Sequence, residues 1–130
     1  MIVNAEQALI GALMMEPRAI KDCGSIRPDM FVDALLGRIY LEFLRAHDFG
    51  YQANLVTLAA NIADVSQAEL LSKLKECSDS SVTSTAAGEY ADVIKNAYKA
   101  RTATQIINAV QFHPSAVEKQ IGETVNALEA

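Results

Sequence analysis

Apolar residues in this chain recur at three- and four-residue intervals nearly from end to end, and nowhere do they alternate as a strand requires. That property confines the fold to helices packed on helices. The opening segment sets the pattern, with Ala5, Ala8, Leu9, Ala12 and Leu13 on one helical face. Asn4 is placed as its N-cap, and Gln7 stands at the capping-box distance from which a side chain reaches back to the cap. Pro17 closes this helix, and a short turn over 19–23 stops at Gly24. Past a loop at Pro28, Asp33 opens a stronger helix. In it Leu35/Leu36, Ile39/Tyr40 and Phe43/Leu44 recur until Gly50 ends the run.

Asn54 is positioned to cap a short helix carrying Leu55, Leu58 and Ile62. Ser66 and Glu69 form a capping box ahead of a stripe of Leu70, Leu71 and Leu74. The hydroxyl-rich stretch 78–85 is the clearest break, since such residues favour turns and caps over helix interiors. Beyond it, 86–112 reads as one long helix with Tyr90, Val93, Ile94, Ala97, Ile106, Ile107 and Val110 along one side. His113 and Pro114 interrupt it. Ser115 then caps a last helix striped by Val117, Ile121, Val125 and Leu128. The expected architecture is all-α: a small helical-bundle head, 1–80, followed by an antiparallel helical hairpin, 81–130. Neither arm of the hairpin has neighbours enough to cover both of its sides, so part of it is expected to find its partner on another molecule. The chain ends inside a helical pattern, without a C-cap glycine, as a domain cut from a longer protein would.

Composition narrows the function. At 130 residues the chain fits one domain; it is 51% apolar without a single Trp, so its core must come from Ala, Leu, Ile and Val. Its net charge is −5, whereas a domain that grips nucleic acid alone carries a basic stripe. Lys95, Lys99 and Arg101 come nearest to one, but Glu89 and Asp92 share the helix and make it a solvated mixed-charge face. Cys23 and Cys77 lack the spacing of a zinc site or a redox pair and read as reduced, partly buried thiols of a cytoplasmic protein. No apolar run approaches the ~20 residues of a membrane span, and no signal peptide opens the chain.

Chemistry finds little support. The glycines stand singly and no G-x-x-x-x-G-K-[ST] loop cradles a phosphate, so no ATP site is encoded. His47 beside Asp48, and His113 beside Pro114, read as turn residues rather than metal ligands or bases. Ser81 and Ser84 have no oriented base. Glu6 and Gln7 suit a helix's first turn. No catalytic residue, cofactor site or metal site is assigned. Arg101 stands out because it continues the line of Tyr90, Ile94 and Ala97, where an apolar residue is expected. Either it snorkels at the edge of the stripe, or it faces a carboxylate or helix end across an interface.

Four stretches, in order, resemble the N-terminal domain of DnaB-type replicative DNA helicases. They are Ala5-Glu6-Gln7 through Met14; Phe31 with Ile39 and Tyr40; Asn54 through Leu58; and Tyr90 through Ile94, with Arg101 a helical step beyond. A Gly-Gly loop and a Tyr-Leu helix of that family are replaced here by a different course over 66–85. The hairpin turn also comes early, which points to a divergent branch of phage or prophage type. The resemblance implies a non-catalytic collar. Such domains pair through their hairpins, and three pairs make a triangular collar on a hexameric motor. The collar guides the emerging strand, docks primase and takes part in loading. ATP and Mg would belong to the parent motor, and DNA would be engaged mainly through the parent hexamer. The expected pairing seam is Tyr90, Ile94, Ala97, Arg101, Ile107, Val110, Val117, Ile121, Val125 and Leu128, any of which could instead serve the intramolecular core. A primase's helicase-binding domain shares the helical architecture, but the Ala-Glu-Gln opening at the N-terminus argues against it. A free-standing adaptor or inhibitor of the helicase is the other alternative.

Overall fold

The computed structural model describes residues 4–80 and 83–112. Every regular element among them is helical: α1 (Ala5–Met15), α2 (Ala34–Phe49), α3 (Leu55–Asn61), α4 (Gln67–Ser80) and α5 (Ala87–Phe112). Short 3₁₀ segments lie at Pro17–Cys23, Pro28–Met30 and Ser84–Ala86. The all-α reading is therefore correct. The turn at His113 and Pro114 and the last helix lie outside the described residues. The chain divides into two compact units, Met1–Lys95 and Asn96–Ala130, so the first turns of α5 count with the head.

α1 is the axle of the head. The expected one-sided stripe is a full jacket: Ala8 through Leu13 are all buried, Ile10 and Gly11 included. α4, α2 and the 3₁₀ segments Pro17–Cys23 and Ser84–Ala86 all pack against it. A helix that is apolar all round belongs at a centre, surrounded by others. Asn4 caps it as expected, Oδ1 accepting from the Gln7 amide at 3.1 Å. The Gln7 side chain, however, does not turn back to the cap. It spans to α4, where Nε2 donates to Glu76 Oε2 at 3.3 Å and Oε1 lies 2.9 Å from the Ser80 hydroxyl.

Glu6 ties the same helix to a third element. Its carboxylate accepts the backbone N–H of Val32 at 2.8 Å and of Asp33 at 3.0 Å, just ahead of α2. Asp33 then caps α2 through the amides of Leu35 and Leu36. Its other oxygen receives Lys73 Nζ from α4 at 2.8 Å. Leu36, Ile39, Tyr40 and Phe43 are buried along α2, with Tyr40 against Phe31 at 5.2 Å between ring centroids. Gly37 is demanded by crowding, since a Cβ there would lie 2.5 Å from the Pro28 carbonyl oxygen. Gly50 ends the helix in the left-handed conformation at φ 76°. The buried Glu42 carboxylate is compensated by Arg45 at 2.9 Å and by Asn61 Nδ2 at 2.8 Å, which joins α2 to α3.

Asn54 and Thr57 close a reciprocal capping box at the start of α3. On α4 the buried face is Leu70, Leu74 and Cys77, whereas Leu71, expected in the stripe, is 55% exposed. The helix also continues through Ser80, past the start of the expected break. The Ser80 hydroxyl lies 2.9 Å from the Glu76 carbonyl, a local bond that lets a serine complete a last turn.

Candidate functional site on the long helix

α5 begins with small residues because it must come close to the segment after α1. A Cβ on Gly88 would lie 3.1 Å from the Asp22 carbonyl oxygen, and Lys95 Nζ donates to Ser25 Oγ at 3.3 Å. Ala87, Ala91 and Ile94, spaced i, i+4, i+7, are buried. Ile94 is only 3% exposed, so its apolar surface is already covered within a single chain. Tyr90 is half-buried, and Ala97 is exposed.

The apolar residues of α5 do not form the single line expected of them; they are distributed around the helix. At about 100° per residue, Ile106 and Ile107 fall roughly 120° and 140° away from Ile94, in opposite senses. The first half of α5 thus presents one apolar face and the second half another. Ile107 is 50% exposed and Ile106 is half-buried. Arg101 lies with its guanidinium carbon 5.9 Å from the centroid of the Tyr98 ring, within cation–π reach. Glu89, Asp92 and Lys99 are each exposed on α5, in keeping with the mixed charge read from the sequence. The side chain of Val110 and the residues Val117, Ile121, Val125 and Leu128 lie outside the described residues.

Elsewhere, His47 and Asp48 are exposed on the last turn of α2, and His47 borders a cleft that periodicity gave no sign of. Ser81 and the Ser84 side chain fall outside the described residues, as does His113. Burial pushes the Cys23 thiol up to about 11, and burial likewise carries Cys77 up to about 12. Both thiols are therefore protonated and unreactive near neutral pH. Among the described residues, no group of three His, Cys, Asp or Glu side chains is placed to hold a metal ion. No helix among them is long and apolar enough to cross a membrane.

A central helix buried from Ala8 to Leu13, clamped to its neighbours by Glu6 and Gln7, within a chain whose described elements are all helical, defines an all-helical bundle domain. The chain belongs to the DnaB-like helicase N-terminal domain family, whose model it matches over residues 2–96. It is 32% identical over 97 residues to the replicative DNA helicase DnaB of Geobacillus stearothermophilus; the match covers 72% of this chain and 21% of that protein. The chain thus spans about a fifth of the length of that relative. Its fold is that of the DnaB helicase N-terminal domain from Mycobacterium tuberculosis: TM-score 0.78 at 20% identity, covering 96% of this chain and 94% of that one. It also matches a DnaB-like replicative helicase whose structure was described with its interactions with primase. There the TM-score is 0.77 at 20% identity, over 97% of this chain and 30% of that one.

Proposed function

We propose that this chain is the non-catalytic N-terminal collar of a hexameric replicative DNA helicase. It pairs with a second copy through α5 and the segment after it, and it offers a docking platform for primase or a helicase loader. The family match over 2–96 carries this reading, because it covers the whole head and the first turns of α5. Two further observations support it. Ile107 is half exposed on a helix whose second half turns an apolar face to a new direction, and a self-complementary apolar face suits an isologous dimer. A structural relative sharing the fold was described with its interactions with primase. ATP and Mg binding, and unwinding itself, would be work for a motor domain outside these residues. With a net charge of −5, the collar would meet DNA mainly through the assembled hexamer.

Light scattering over a concentration series tests the pairing. The wild type is expected to form dimers or higher assemblies, and Ile107→Glu is expected to give folded monomers with unchanged helical circular dichroism. Ile107 is exposed enough that the substitution spares the fold. A wild type that stays monomeric at high concentration, or an Ile107→Glu variant that assembles like it, would overturn pairing through α5.

A further inference from the structure

We draw no further inference here: the strongest candidate, the cleft between the end of α1 and the end of α2 lined by Phe43, His47 and Tyr51, carries nothing because Glu16 lines it beside Arg18 and nothing in the structure shows what occupies it.

Discussion

Glu6 makes two contacts that no spacing rule anticipates, because its partners are the amides of Val32 and Asp33, a full element away. Those N–H groups precede the first turn of α2 and have no helical acceptor of their own. Replacing Glu6 with alanine strips both of their partner; the Val32 contact is exposed and the Asp33 contact only partly buried, so the cost is that of lost hydrogen bonds, about 0.5–1.5 kcal/mol. Glu6→Gln keeps an amide oxygen as acceptor and is expected to lose less. Urea unfolding midpoints of the two variants check the order; equal midpoints for wild type and Glu6→Ala would mean that water replaces the carboxylate. Asp33, which carries the second of those amides, supplies a pH-dependent contribution. Partial burial pushes its carboxyl up, but Lys73 and the amides of Leu36 and Leu35 together hold it below its ordinary value of 3.8. The folded state therefore takes up this proton less readily than the unfolded chain. The stabilisation is complete above the ordinary value and is lost as the pH falls through 3.8 to the lower folded value. Asp33→Asn retains a good N-cap while removing the charge. Its deficit against wild type is expected to be about 1 kcal/mol or less at neutral pH, as for a partly exposed ion pair, and to shrink below about pH 4. Denaturant titrations at pH 7 and pH 3 measure that gap, and an equal gap at both would remove the linkage.

At the scale of the element, adjacent leucines on α4 separate what is legible in a sequence from what is not. Leu70 is fully buried and Leu71 is 55% exposed, although both fit an apolar stripe by spacing. Leu70→Ala is expected to cost about 2–5 kcal/mol, and Leu71→Ala to stay within about 0.5 kcal/mol. Thermal unfolding of the pair decides it, and comparable losses would show that Leu71 is covered in the assembled protein. Helix positions were legible because caps and breakers are local: Asn4, Asp33, Asn54, Ser66 and Gly50 all act within a turn of themselves. Which face each helix buries was less so, since that depends on what surrounds it. α1 reads as one-sided because Ile10 and Gly11 break the spacing, yet α4, α2 and the 3₁₀ segments enclose it on all sides. α5 misleads in the opposite way. Its apolar residues are real, but the helix turns Ile107 roughly 140° from Ile94 in the space between them. Family membership survived these errors because it rested on order and spacing along the chain. The cleft at Arg18 and His47 was invisible for the same physical reason that the face of α1 was misread. It is made by two helix ends brought together only by folding.

For the molecule as a whole, the question is whether stability and assembly reside in different parts of one chain. The buried core ends at Ile94; among the described residues no side chain beyond it is fully covered. The family match ends at residue 96, and the division into compact units falls between Lys95 and Asn96. A chain cut after Lys99 keeps one turn beyond Ile94, enough to hold end fraying away from the core. Such a fragment is expected to unfold cooperatively, with a Tm lowered by less than about 5 °C, as a loss of up to about 1 kcal/mol implies for a domain of this size. It retains the buried Ala87, Ala91 and Ile94, and with them Tyr90 and Ala97 of the expected pairing seam, but lacks Arg101, Ile107 and the seam residues after them. In light scattering it should therefore remain monomeric at concentrations where the full chain assembles. Two results would count against this separation. A fragment that fails to fold would show that residues beyond Lys99 complete the core. A fragment that still pairs with the full chain's affinity would place the assembly face on the head.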